Sequence, residues 1–303
     1  MLDIQQITSG LQFPEGPIAC EDGSVLLVEI KRGTLSRVTP DSTIEVVAET
    51  GGGPNGAAIG PDGACYICNN GGFEWHDLGG FLLPGNQPAD YTGGSIQRVD
   101  LTTGAVETLY TECDGIPLKG PNDIVFDAHG GFYFTDLGKH RERDQDRTGV
   151  FYAKPDGTLI REIIFPMEGP NGIGLSPDGK RLYVAETPSG RVWAFDIESP
   201  GVPAGDPNDL LSRNCVAGLP GMQMLDSLAV DGEGHVCVAT LVNGGITSIS
   251  PDGSSVEHYA TPDPLTTNIC FGGEDLRTAY ITLSGTGVLV KATWPRPGLA
   301  LNC

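Results

Sequence analysis

The 303-residue sequence predicts an all-β chain of six repeated units arranged around a central channel. Three observations carry that expectation. Short segments recur with nearly the same residues at one register. The distance from a landmark polar residue to the end of the next strand is almost constant. No stretch holds a 3.6-residue apolar period long enough for a helix.

The repeats are read as follows. Gly53-Pro54-Asn55-Gly56, Gly120-Pro121-Asn122-Asp123 and Gly169-Pro170-Asn171-Gly172 open three units almost identically. Each is followed by a short apolar stretch, a turn, and a second strand. Six second strands are visible: SVLLVE, ACYICN, GFYFTD, RLYVAE, HVCVAT and TAYITL. Counting back from each gives six landmarks, namely Glu15, Asn55, Asn122, Asn171, Asp226 and Asn268. The landmark lies 14 residues before the end of the second strand in five units, and 15 before it in the unit of Asn171. Between units the gaps vary from 40 to 67 residues, as loop insertions produce. Asp22-Gly23, Asp62-Gly63, Asp178-Gly179 and Asp252-Gly253 mark tight hairpin turns. Third strands follow, for example Gly94–Val99 and Gly190–Phe195. Units of about 40–50 residues with four strands each predict a six-bladed β-propeller, expected as one domain over residues 1–303.

Composition agrees. Glycine and proline, 44 and 23 residues, make about a fifth of the chain, against roughly 12% in average usage. Spread evenly, they mean turns. The net charge of −21 repels phosphate backbones and anionic lipid, which speaks against nucleic-acid and membrane-surface partners. No apolar run approaches the ~20 residues of a membrane span, and no signal peptide is visible at Met1–Gly10. A cytoplasmic location is therefore expected. The eight cysteines (20, 65, 68, 113, 215, 237, 270 and 303) read as mostly reduced, buried residues.

In a propeller the first strand of each blade runs beside the axis, so the six landmarks should converge at the channel mouth. All six are oxygen donors, and two are carboxylates. Such a set suits a hard divalent cation, above all Ca²⁺; Mg²⁺, Mn²⁺, Zn²⁺ or Fe²⁺ are the alternatives. Zinc would more often recruit Cys or His. Taken singly, an Asn or Asp at a strand mouth more often caps a turn. Six at one register favour a shared metal site.

These residues also carry a family resemblance. Phe13-Pro14-Glu15-Gly16-Pro17, Gly169-Pro170-Asn171-Gly172-Ile173, Leu225-Asp226-Ser227-Leu228-Ala229-Val230-Asp231 and Phe271-Gly272-Gly273 resemble the senescence marker protein (regucalcin)/gluconolactonase family. The resemblance runs from Phe13 to about Trp294, and Phe126–Asp136 is similar to its bacterial lactonase branch. It implies a divalent cation held by Glu15, Asn171 and Asp226. It implies that Asn122 binds metal or substrate, and that Ser227 is a further contact. It also implies hydrolysis of a lactone, a small cyclic ester. Lys119-Gly120-Pro121 precede Asn122 where sugar-lactonase members often carry an arginine.

Ester hydrolysis passes through a tetrahedral oxyanion, which a cation at the carbonyl oxygen stabilises. Asp226 is the candidate base, with a role as ligand only as the alternative. Asn55, Asn122, Asp123, Ser227 and Asn268 are candidate substrate contacts. No Gly-x-Ser-x-Gly elbow is present. Cys65-x-x-Cys68 lies in a strand, where residues i and i+3 face opposite sides, so both are read as structural. Two insertions, Gly71–Tyr91 and Leu137–Arg147, are expected to overhang the channel. They carry His76 and His140, read first as surface groups, and an apolar set of Phe73, Trp75, Phe81, Leu82 and Leu83. A lactone with one polar and one apolar side is the expected substrate. Phosphotriester or other ester hydrolysis in the same site stays open. So does a non-catalytic propeller with a structural ion.

Overall fold

The computed structural model describes residues 2–211 and 213–301. Among them there is no helix, and six antiparallel sheets form the six blades of a β-propeller. The innermost strands are Pro14–Ala19, Pro54–Ile59, Pro121–Phe126, Pro170–Leu175, Met224–Val230 and Thr266–Gly272. Each pairs with the second strand expected from the sequence, Val25–Glu29 in blade 1 through Thr278–Leu283 in blade 6. The third strands expected at 94–99 and 190–195 are Ser95–Val99 and Arg191–Ser199.

The second strands are apolar through their middles because both of their faces are covered. Side chains alternate across a strand. Val25 and Leu27 therefore enter one cluster with Leu11 and Leu289, between blades 6 and 1. Leu26 and Val28 enter another with Ile67 and Val99, between blades 1 and 2. The same alternation separates the two cysteines of the Cys-x-x-Cys segment. Cys65 packs with Ile67 toward blade 1, and Cys68 packs with Phe132 and Phe134 toward blade 3. Burial pushes the Cys65 thiol up to about 12, which leaves it unreactive. Cys20, Cys65, Cys68, Cys113, Cys215 and Cys237 are free thiols. Cys65, Cys68, Cys113 and Cys237 are buried, whereas Cys215 is exposed; Cys303 lies outside the described residues.

The unequal spacing in the fourth unit has a local cause. Five residues lie between the last paired positions of the first hairpin in blades 1, 2, 3, 5 and 6. Blade 4 has six, between Leu175 and Leu182. The extra residue is accommodated in the turn, away from the mouth, so the landmark keeps its place. Gly23, Gly63, Gly179 and Gly253 have φ between 67° and 81°, the left-handed region the Asp-Gly turns require. The gap of 55 residues between Asn171 and Asp226 holds an excursion that the repeat pattern did not reveal. Val202–Pro203 adds a short strand there before Asn214–Gly218 completes blade 4.

The ring closes through the N-terminal segment. Gln5–Ser9 is the outermost strand of blade 6, antiparallel to Val288–Thr293. Trp294 follows that strand, is fully buried, and packs against Tyr259 and Phe271. Trp294→Ala is expected to destabilise the fold by about 3–5 kcal/mol, read as a lowered urea midpoint. Leu211→Ala, at a side chain 97% exposed, should leave the midpoint in place.

Candidate functional site

All six landmarks stand at one end of the ring, and a β-bulge sits beside each. In blade 1 Glu15 pairs with Val28 while Ile18 pairs with Leu26, so the inner strand carries one residue more than its partner. The same extra residue occurs between Pro54 and Ala57, Pro121 and Ile124, Pro170 and Ile173, and Leu225 and Leu228. In blade 6 the ladder slips between Thr266 and Asn268. A bulge bends its strand and re-aims side chains. Neighbouring inner strands also approach closely here. A Cβ on Gly56 would lie 2.3 Å from the Asn122 carbonyl oxygen, and one on Gly172 would lie 2.6 Å from that of Asp226. Glycine after the landmark permits this approach in blades 1, 2 and 4, at Gly16, Gly56 and Gly172.

The convergence is visible in side-chain contacts. Asn268 Nδ2 donates to Glu15 Oε2 at 2.8 Å across 253 residues of sequence. The Asn171 amide is near enough to the Asp226 carboxyl to favour its charged form. Asn171 Nδ2 also donates to Thr187 Oγ1 at 3.1 Å, and Ser227 Oγ lies 3.5 Å from Asn171 Oδ1. Below Glu15, Thr267 Oγ1 lies 2.5 Å from Ser284 Oγ and 2.9 Å from Thr282 Oγ1, a hydroxyl layer the sequence did not announce.

Three carboxylates share this volume. Burial pushes Glu15 up to about 7. Burial, followed by the charge of Glu15, pushes Asp123 up to about 7. Asp226 is raised well above the carboxylate range by burial and then by the charges of Glu15 and Asp123. Of the three, only Asp226 keeps part of its surface open; Glu15 and Asp123 are 2% and 6% exposed.

The candidate substrate contacts are placed differently from one another. Asn55 and Asn122 are buried at the same register of blades 2 and 3. Asp123 has both oxygens occupied: Oδ1 accepts from the Ile124 amide at 3.0 Å and Oδ2 from the Ile173 amide at 3.1 Å. It braces blade 4 against blade 3. Asn268 is also occupied at both ends, since its Oδ1 accepts from the Ile269 amide at 2.7 Å. Ser227 is fully buried.

The two insertions meet above the mouth. The first carries a small hairpin, Trp75–Asp77 paired with Leu82–Pro84. Trp75 packs against Phe13 of blade 1 with tilted rings 5.1 Å apart, and the Leu82 backbone amide donates to the Gly285 carbonyl of blade 6 at 2.8 Å. Tyr91 Oη donates to the Lys119 carbonyl at 2.5 Å. The insertion of blade 2 thus reaches blades 1, 3 and 6. The Gln87 backbone N–H donates to the His140 carbonyl at 2.8 Å, joining the two insertions. His76 and His140 themselves are exposed. Lys139 is 1% exposed, and its Nζ donates to Gly72 O at 2.6 Å and Asn70 Oδ1 at 3.2 Å. Neither Asn70 nor Lys139 stands out in the sequence. A separate cleft of about 520 Å³ lies at the other end, between blades 1 and 2, lined by Cys20, Asp22, Arg37 and Pro61 among others. It is remote from these donors.

The mouth fits a hard cation by the chemistry of its donors. Among the described residues no group of three or more His, Cys, Asp or Glu side chains is arranged around a metal position. What is present is a mixed set, two carboxylates and amide oxygens. Asn122 Oδ1 is buried without a hydrogen-bond partner, an acceptor left free for a cation or a donor. Burial raises all three acids, and the charge of Glu15 adds to the raising of Asp123 and Asp226.

A six-bladed propeller with buried oxygen donors at one channel mouth is the class that fold and site define. Residues 13–285 match the family described as the SMP-30/gluconolactonase/LRE-like region, and the chain belongs to that family. A gluconolactonase of Zymomonas mobilis is 28% identical over 95% of this chain and 81% of its own length. A lactonase drp35 of Staphylococcus saprophyticus is 29% identical over 84% of this chain and 71% of its own. The structure superposes on a Xanthomonas campestris gluconolactonase with a TM-score of 0.75 and 22% identity, covering 96% of this chain and 89% of that one. It superposes on regucalcin of Agrobacterium tumefaciens, a calcium-binding protein, with a TM-score of 0.75 and 17% identity, covering 99% and 98%. These two solved structures support the fold.

The raised acid of Glu15 sets a pH dependence. Without divalent cations, the folded state holds its proton up to about pH 7, whereas the unfolded chain releases it near 4.5. Stability from this group is present below about 4.5 and is lost as pH rises through 7. Chelator-treated Glu15→Gln should therefore melt higher than wild type at pH 8, and the difference should vanish near pH 4.5. A lower melting temperature for Glu15→Gln at pH 8 would contradict this.

Proposed function

We propose that this protein hydrolyses a lactone, with a divalent cation, Ca²⁺ for preference, at the channel mouth. Three supports stand together: the family, the gluconolactonase and lactonase relatives, and the buried oxygen donors. The single observation that carries the reading is the convergence of Glu15, Asn171 and Asp226, with the unpartnered Asn122 Oδ1 beside them on blade 3. Glu15, Asn171 and Asp226 would hold the cation, with Asn122 close by. When bound, such an ion polarises the ester carbonyl and offsets the charge of the oxyanion.

The chain's own residues do the rest. Asp226 is the least buried of the three mouth carboxylates, and in this reading it meets the attacking water. In this reading its carboxylate takes the proton of the attacking water. Glu15 is held by the Asn268 amide, and a bound cation would keep it an anion. Asn55, Asn122 and the Ser227 hydroxyl supply polar partners for the lactone. A buried polar substrate group left unpaired costs roughly 1–3 kcal/mol, so these amides select for oxygenated rings. Asp123 supports the mouth from below, through the backbone of blades 3 and 4. The joined insertions form a roof, and Phe73, Trp75 and Phe81 give it an apolar side. Among the described residues no helix is long and apolar enough to cross a membrane. The acidic chain with its free thiols supports a cytoplasmic setting and a small-molecule substrate, without nucleic-acid or membrane partners.

A lactone panel in weak buffer, with acid release followed with and without chelator, tests this. Turnover that chelator abolishes and added cation restores is expected. Asp226→Ala should lower kcat/KM by about 10³-fold or more, since it removes both a charged ligand and the proton acceptor. Acid release indifferent to chelator, or near-wild-type turnover by Asp226→Ala, would overturn the reading.

A further inference from the structure

Asn70 follows the second strand of blade 2, Cys65–Asn69, at the mouth end. Its amide donates to the Gly53 carbonyl at 2.8 Å, two residues before Asn55. Its side chain is 1% exposed. Oδ1 is doubly committed. It accepts from the Gly72 amide at 2.8 Å and from Lys139 Nζ at 3.2 Å. Nδ2 is buried and has no hydrogen-bond partner.

That orientation is forced by chemistry. A backbone N–H only donates. Turning the side-chain amide of Asn70 over would set its NH₂ against the Gly72 N–H. The orientation that satisfies Oδ1 leaves Nδ2 facing elsewhere, with nothing to receive it. Buried donors are nearly always paired in folded proteins, so an unpaired one needs an explanation. Lys139 is itself buried at a cost. It gains two carbonyl oxygens, of Gly72 and Asn70, and the face of Phe73 at 4.2 Å. Structural bracing alone would explain Lys139, because it ties the two insertions together. It would not explain the amide group left over beneath them.

We propose that Asn70 is a substrate-contacting residue whose Nδ2 donates to a hydroxyl oxygen of a polyhydroxylated lactone. Lys139 is the positioning residue that holds the amide in the donating orientation. This rests on the lactonase reading and narrows it. The preferred ring carries hydroxyl groups on the side that faces blade 2, while the apolar side chains of the roof cover another part. A lactone without hydroxyl groups offers Nδ2 no such partner.

Asn70→Asp keeps an acceptor for Lys139 and Gly72 but removes the donor. The experiment measures kcat/KM on D-glucono-δ-lactone and on δ-valerolactone, which has the same ring and no hydroxyl groups. The ratio of the two values should fall about tenfold or more in Asn70→Asp, the scale on which sites built to hydrogen-bond a substrate discriminate. Lys139→Met should lower the same ratio by a smaller factor, through KM for the hydroxylated lactone rather than kcat. It also carries the comparison should Asn70→Asp fail to fold. A ratio within about twofold of wild type would overturn the inference while leaving the lactonase reading intact. Wild-type protein that opens neither lactone would overturn both.

Discussion

The site depends on one constraint: six inner strands meet around a single axis closely enough for their backbones to touch. That closeness is achieved at the mouth, where each ladder carries a bulge. Glycine beside the landmark allows the next blade to approach, as Gly56 allows Asn122 and Gly172 allows Asp226. In blade 3 Asp123 fills that position and grips the Ile173 amide. Convergence of oxygen donors then follows from register alone. It gathers three acids in one small volume, and the low dielectric raises all of them.

The acids make the arrangement costly without a counter-charge. Among the described residues no Lys or Arg side chain is a hydrogen-bond partner of Glu15, Asp123 or Asp226, and the neighbours that stabilise them are amides and hydroxyls. The blades pay for this elsewhere, in six apolar clusters between neighbouring sheets. Function and scaffold are thus separated along each inner strand. Its mouth end carries oxygen donors, and the second strand behind it carries aliphatic and aromatic residues buried on both faces.

Much of this was legible in the sequence, and the reason is periodicity. A landmark 14 residues from a strand end can be counted, and its recurrence places Glu15 beside Asn268 although 253 residues separate them. Residues outside the repeat were not legible. Asn70 and Lys139 lie 69 positions apart and meet only because two insertions of different blades fold together. Asp123 read as a substrate contact from its place next to Asn122, but its oxygens turn to backbone amides, a matter of orientation that no spacing encodes. Closure of blade 6 by Gln5–Ser9 was equally hidden, since a single edge strand has no repeat to belong to.

The central claim is that the mouth is one cation site built from all sides of the ring. Calorimetric titration of chelator-treated protein with Ca²⁺ tests it most directly, because the acidic surface binds cations weakly and without fixed number. The account predicts one tight site per chain, saturating at equimolar metal, and lost in Asn171→Ala as well as in Glu15→Ala. Binding that is only weak and multiple, or one tight site that survives both substitutions, would contradict it.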